Sequence, residues 1–237
     1  MIGRRPLLLG LAAAATVEPI DLLVLAVDAS GSVDRARFAL QMQGYAAAFR
    51  EPAVLRAILA TPGQAIGVTM LHWTGPAMQV QVVSWTRVSD AASAAGFAAA
   101  VDAAPRALFG GGTSISGAID ASRELLARAP FAAGRRIVDI SGDGANNRGR
   151  PAELARDEAV ADGVSINGLP ILTLEPDLAE VYRERVIGGP GAFVVAIDGY
   201  DQFARAILHK LVSEIAQGGE FGGRGAVAAV AGAGRRS

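Results

Sequence analysis

No cysteine occurs in the 237-residue chain. Its absence excludes disulfides, thiolate metal sites, a cysteine nucleophile and a lipoprotein anchor, and leaves export open. Histidine is nearly as scarce: His72 and His209 are the only two. Neither stands at a spacing that holds zinc, and packing in the core or at the surface is the expected role of each. An excess of charge is also lacking. With 22 basic and 23 acidic residues the formal net charge is −1. No basic stripe interleaves with Trp73 or Trp85, so nucleic acid is not an expected partner. No apolar run is long enough to cross a bilayer as a helix, so an integral membrane protein is not expected either. The Gly-Lys-Ser/Thr of a phosphate-binding loop is missing as well.

What is present is apolar sequence, 51% of residues, enough at this length for one sizeable core or two small ones. One stretch organises it. Residues 21–33 read DLLVLAVDASGSV, an apolar run ending in small polar residues, as a strand buried on both faces does. Helical spacing follows over 34–49, with Phe38, Met42, Tyr45 and Phe49 on one stripe. Asp28, Ser30 and Ser32 therefore lie where a buried strand turns into a helix, at the ligand-binding edge of an open parallel sheet. They alternate with Ala29 and Gly31, so three oxygens can enter one crevice. A carboxylate and two hydroxyls are hard donors, suited to Mg²⁺ or Mn²⁺ rather than to zinc. The same residues also suit an ordinary strand-to-turn junction, with Ser32 and Asp34 opening the helix.

Two further polar clusters follow. Pro52 interrupts the segment after the first helix, and Thr61-Pro62-Gly63 is a turn. Residues 65–73 and 78–85 read as strands joined across Gly75-Pro76, a link so short that one must run antiparallel. Ser89-Asp90 opens an alanine-rich helix that Pro105 ends. Gly110 to Gly112 then bring the backbone close to something, before Thr113 and a helix over 114–129 that Thr113 or Ser114 caps. A strand over 135–140 ends in Ser141-Gly142-Asp143-Gly144-Ala145-Asn146-Asn147. By itself that is an Asp-Gly turn with asparagines that tolerate left-handed backbone. A helix over 151–162 is followed by a strand over 164–172, broken at Asn167-Gly168. A short helix over 177–186, with Arg183 to Arg185 on a solvated face, and a strand over 193–197 come next. A last helix over 200–216 carries Phe203, Ile207, Leu211 and Ile215 at four-residue steps. This alternation predicts a three-layer α/β architecture: a Rossmann-like, mostly parallel sheet with one antiparallel edge strand and helices on both faces.

The termini differ from the rest. Residues 1–17 read MIGRRPLLLGLAAAATV, with Arg4-Arg5 before a short apolar stretch that ends in alanines, the pattern of a secretory signal peptide. Pro6 and Leu7 make the twin-arginine match a partial one. One domain is expected over 18–217 and a disordered Gly/Ala-rich tail over 218–237. The expected location is periplasmic or secreted.

The order Asp28-x-Ser30-x-Ser32, Thr113, Asp143 resembles the metal-ion-dependent adhesion site of von Willebrand factor A domains. The resemblance implies that these five residues are the metal ligands, that Mg²⁺ or Mn²⁺ is the cofactor, and that an acidic group of a partner takes a position otherwise held by water. The segments SGDGANN, INGLPIL, VIGGPGAFVVAIDGY and KLVSEIA further resemble a bacterial family of uncharacterised von Willebrand A-like proteins, domain of unknown function 1194, across residues 19–217. The expected function is an exported module that captures Asp or Glu on a protein partner, without catalysis. The alternative at the same site is metal-assisted phosphoester hydrolysis, which wants an acid–base group beside the metal. No histidine lies near a ligand segment. A G-x-S-x-G hydrolase elbow fails because Asp28 stands where its first glycine belongs, and a haloacid-dehalogenase-type phosphatase would need an aspartate where Ser30 stands.

Overall fold

The computed structural model describes residues 18–217, so the expected signal peptide at 1–17 and tail at 218–237 lie outside the described residues. Five strands, β1 (Ile20–Asp28), β2 (Ile66–Trp73), β3 (Gln79–Val88), β4 (Ala133–Gly142) and β5 (Val164–Pro170), form one sheet in the order β3-β2-β1-β4-β5. β3 runs antiparallel to β2 at one edge, and every other pairing is parallel. The helices are α1 (Arg35–Arg50), α2 (Pro52–Leu59), α3 (Ala91–Ala103), α4 (Ile115–Ala127), α5 (Ala152–Ala161), α6 (Leu178–Val181) and α7 (Phe203–Ala216).

The side-chain alternation of β1 divides the core in two. Leu23, Leu25 and Val27 pack with Phe38 and Tyr45 of α1, Phe97 of α3 and Phe203 of α7. Leu22, Val24 and Ala26 pack with Ile115 and Ile119 of α4, Ala155 of α5 and Leu178 of α6. A strand covered by helices on both faces must be apolar at every position, which is why residues 22–27 form an unbroken apolar run. Because β1, β2, β4 and β5 are parallel, the carboxyl ends of all four open at one edge of the sheet.

The elements depart from the sequence reading at three places. Pro52 does not merely interrupt; it starts α2, since its missing N–H is not needed at a first helical position. Asn167-Gly168 does not break β5. Asn167 turns inward, donating to Glu214 at 2.6 Å and accepting from the Phe193 amide at 3.0 Å. The strand expected over 193–197 is reduced to two isolated parallel bridges in one register, Gly168↔Val194 and Ile171↔Ile197. Hydrogen bonds run from Gly168 N to Phe193 O, Val195 N to Gly168 O, Ile197 N to Pro170 O and Leu172 N to Ile197 O. The next donor in that series would be the amide of residue 170, and proline has none.

α7 is fastened from within. The chain has a single lysine, Lys210, and it is buried. Its Nζ stands 2.7 Å from Asp139 of β4 and 2.6 Å from Glu214, both also buried.

Candidate metal centre

β1 ends at Asp28, which is fully buried. Its Oδ1 accepts the Ser30 amide at 2.7 Å, turning the chain sharply after the strand. The Ser30 and Ser32 hydroxyls are 3.1 Å apart, and Ser32 Oγ donates to Asp143 Oδ1 at 2.5 Å. Asp34 caps α1 by accepting from the Arg37 amide at 2.8 Å. Arg37 in turn donates to the Ser32 carbonyl at 2.9 Å and lies 3.7 Å from Asp143 Oδ2. The loop is clamped by Arg106, whose Nη2 donates to the carbonyls of Ala29, Ser30 and Val33 at 3.0, 3.2 and 2.6 Å. Its guanidinium lies 5.0 Å from the rings of Phe38 and Phe109 alike.

Thr113 is delivered by Gly110, Gly111 and Gly112, with φ of 68, 86 and 81°. Three successive left-handed residues demand glycine. Ser114, not Thr113, caps α4, accepting from the Gly117 amide at 3.2 Å. The Thr113 hydroxyl is thus left out of the cap. The two asparagines are not left-handed: among the described residues only Gln64 and Ala77 have positive φ without being glycine. They are braces instead. Asn147 Oδ1 accepts the Thr113 amide at 2.9 Å and Asn146 Oδ1 accepts the Ser116 amide at 3.1 Å.

Asp143 follows β4, and its Oδ2 accepts from Tyr200 Oη at 2.9 Å. Beside it, Gly142 makes a cradle. A Cβ there would lie 2.9 Å from Tyr182 Oη, 3.1 Å from Asp28 Oδ2 and 3.2 Å from Trp73 Cζ2. Asp28 Oδ2 is buried without a hydrogen-bond partner among the described residues. Burial, working against the Ser30 amide and hydroxyl, pushes its carboxyl up to about 7. An ionised carboxylate is costly in such a place unless a cation accompanies it. The donor set, two carboxylates with three hydroxyls, fits a hard dication. Gly142→Ala, which crowds this cradle, is expected to lower stability by about 1–3 kcal/mol and to weaken Mn²⁺ binding, checked by urea unfolding and calorimetric titration.

At this edge opens a cleft of about 230 Å³ lined by Ser32, Thr113, Asp143, Asn147, Leu174 and Glu175 among others. The structure therefore brings all five sequence-predicted residues to one sheet edge: Ser32, Thr113 and Asp143 line the cleft, while Asp28 and Ser30 are buried outside its lining and joined to it through the Ser30–Ser32–Asp143 contacts. Glu175 is a carboxylate that the sequence reading missed. Its two oxygens accept the Ala145 amide at 3.2 and 3.1 Å. Its one local signal is its position just past β5, at the same edge as the other loops. Arg106, Tyr182 and Tyr200 were missed too, and nothing in their local sequence marks them. Among the described residues no three His, Cys, Asp or Glu side chains gather as a metal cage, so a cation here would depend on the hydroxyls. His72 is buried with its ring 5.0 Å from that of Phe38, edge to face, and His209 is exposed, in keeping with packing roles.

A family model described as a protein of unknown function (DUF1194) matches residues 20–219. No curated protein matches the chain. Several solved structures share its fold at low identity. Proximal thread matrix protein 1 from the mussel byssus, described with a zinc-occupied MIDAS motif, aligns with a TM-score of 0.60 at 15% identity, over 84% of this chain and 46% of its own. A von Willebrand factor type A protein from Catenulispora acidiphila aligns at 0.57 and 18% identity, over 85% and 43%. The open conformation of the pilus adhesin SpaC from Lactobacillus rhamnosus GG aligns at 0.60 and 16% identity, over 85% and 30%. The chain thus spans less than half the length of each, and the likeness is one of fold: the three-layer von Willebrand A-like sheet and its helices.

Proposed function

The chain belongs to the DUF1194 family, and we propose that it is an exported module that binds a protein partner through a divalent cation. Asp28, Ser30, Ser32, Thr113 and Asp143 would hold Mg²⁺ or Mn²⁺. The observation that carries this reading is the buried, unpartnered Asp28 Oδ2, tied through Ser30 and Ser32 to Asp143 at the wall of an open cleft. When bound, the cation supplies an electrophilic contact for an anionic oxygen. The chain's own residues prepare the rest. Tyr200 and Arg37 occupy the Asp143 Oδ2 side, Arg106 holds the first loop, and Thr113 lines the cleft with its hydroxyl free of the helix cap. An Asp or Glu of a partner fits that opening, whose lining includes exposed Leu174.

Binding without catalysis is the favoured reading, because among the described residues no histidine lines the cleft and both Glu175 oxygens are engaged by the Ala145 amide. The similar structures, a byssus matrix protein with a zinc-occupied MIDAS motif and a pilus adhesin, support the same direction. Export to the periplasm or beyond rests on residues 1–17. Among the described residues no helix is long and apolar enough to cross a membrane.

Thr113→Ala separates metal from partner. It keeps both carboxylates, so Mn²⁺ affinity measured by calorimetry should fall only modestly. Retention of an envelope protein on the immobilised, Mg²⁺-loaded chain should fall about ten- to a hundredfold, the loss of one well-placed contact to a charged group at about 1.5–3 kcal/mol. Retention that persists in chelator would show that the cation plays no part in partner capture.

A further inference from the structure

Three buried polar atoms around Gly142 lack hydrogen-bond partners among the described residues: Asp28 Oδ2, Tyr182 Oη and Trp73 Nε1. Two are donors and one is a carboxylate oxygen. Tyr182 Oη and Asp28 Oδ2 lie 2.9 and 3.1 Å from the same point, the Cβ position that Gly142 leaves empty.

Tyr182 is not there by default. A second glycine makes room for its ring: a Cβ on Gly168 would come within 2.5 Å of Tyr182 Cδ1. The residue also opens a π-helical turn, Tyr182–Val186, closed by the Ile187 amide on the Tyr182 carbonyl at 3.0 Å. Such widened turns mark functional positions more often than chance and re-aim the side chain they carry. Two glycines from neighbouring strands and a widened turn thus build a slot that aims one hydroxyl toward Asp28. If filling the slot were the only requirement, phenylalanine would do so without burying an unpaired hydroxyl. The other carboxylate of the site already has such a partner, since Tyr200 donates to Asp143 at 2.9 Å.

We propose that Tyr182 is a positioning residue of the metal centre, its hydroxyl serving the outer oxygen of Asp28, directly or through one bridging water, when a cation holds that carboxylate ionised. Trp73 borders the same pocket through Cζ2, 3.2 Å from the Gly142 Cβ position, and carries a second unpartnered donor, Nε1. The inference rests on the metal reading above and adds to it the residues that orient the first ligand, a role that commonly governs affinity as strongly as ligation itself.

The test is a calorimetric titration of Mn²⁺ into the full chain and its Tyr182→Phe and Asp28→Ala variants, with urea unfolding of each in chelator. Tyr182→Phe should weaken Mn²⁺ binding about tenfold while its metal-free unfolding midpoint stays level or rises. A purely structural tyrosine would give the opposite pair: a lower midpoint and unchanged affinity. In a Trp85→Phe background, which leaves Trp73 as the one tryptophan, Mn²⁺ and the diamagnetic Mg²⁺ should both change the fluorescence; a silent Trp73 in a chain that takes up metal would count against the pocket even if Tyr182→Phe failed to fold. Unchanged affinity in Tyr182→Phe beside lost binding in Asp28→Ala overturns this inference alone. Absence of uptake by the unaltered chain overturns the metal reading and this inference with it.

Discussion

Asp28→Asn is expected to abolish Mg²⁺ and Mn²⁺ uptake and yet, in chelator at pH 8, to leave the domain more stable than the unaltered chain. Both halves follow from one carboxylate. Burial raises the Asp28 carboxyl from 3.8 to about 7. A group raised on folding contributes stability that is present below its unfolded value and lost as pH climbs through the folded one. At pH 8 the metal-free fold therefore carries an ionised Asp28 at a cost on the order of 4 kcal/mol. Asparagine keeps an acceptor for the Ser30 amide, now at 2.7 Å, and removes the charge. Part of the cost should return, about 1–3 kcal/mol, because the new amide is also buried. The cation reverses the ranking. At a thousandfold excess over its dissociation constant it stabilises the unaltered chain by about 4.1 kcal/mol and the variant not at all. Urea unfolding at pH 8, with Mg²⁺ and with chelator, should show the two proteins exchanging order. An equal response to Mg²⁺ in both would refute the ligand assignment.

Lys210→Met should be the most damaging single change outside the cleft, at about 3–5 kcal/mol near pH 8, against about 5–15 kcal/mol for a domain as a whole. Lys210 lies between two buried carboxylates, Asp139 and Glu214, and one ammonium balances only one of them. Asp139 already shows the strain: burial first, then the Glu214 charge, raise it to about 7, against the pull of Lys210. Without the ammonium, Asp139 loses the one charge that holds its carboxyl down. The sign is again that of a raised acid, so the loss should be smaller at pH 5 than at pH 8. Asp139→Asn makes the comparison specific. It keeps the Lys210–Glu214 pair and removes the surplus charge, so its stability should change little between those pH values. Chemical unfolding of the three proteins at both pH values checks this. A Lys210→Met loss of the same size at both would show that packing, not charge, holds α7.

Much of this was legible in the chain. A strand covered on both faces has no polar option, so residues 22–27 announced the centre of a parallel sheet. The short link around Gly75-Pro76, five residues between β2 and β3, left no room for a crossover, so the antiparallel edge followed. The spacing of Ile207, Lys210, Leu211 and Glu214 already puts the lysine and the glutamate on the buried stripe of α7, although Asp139, the third member of that cluster, lies far away in sequence.

The sequence by itself determined the periodicities, the element order and the polar ends of the strands, because side-chain period and chain punctuation are local properties. Only the tertiary structure decided which of those ends meet. Ser32 and Asp143 are bonded across 111 residues of separation, and Thr113 is freed because Ser114 takes the cap. Arg106 finds three carbonyls of a loop more than seventy residues earlier. Tyr182 reaches the cradle because two glycines on adjacent strands leave space for it. Pro170 reduces an expected strand to two bridges, since the missing donor matters only once a neighbour is alongside to need it. Each of these is a property of distance in space, set by how the sheet orders its strands, and no local pattern carries it.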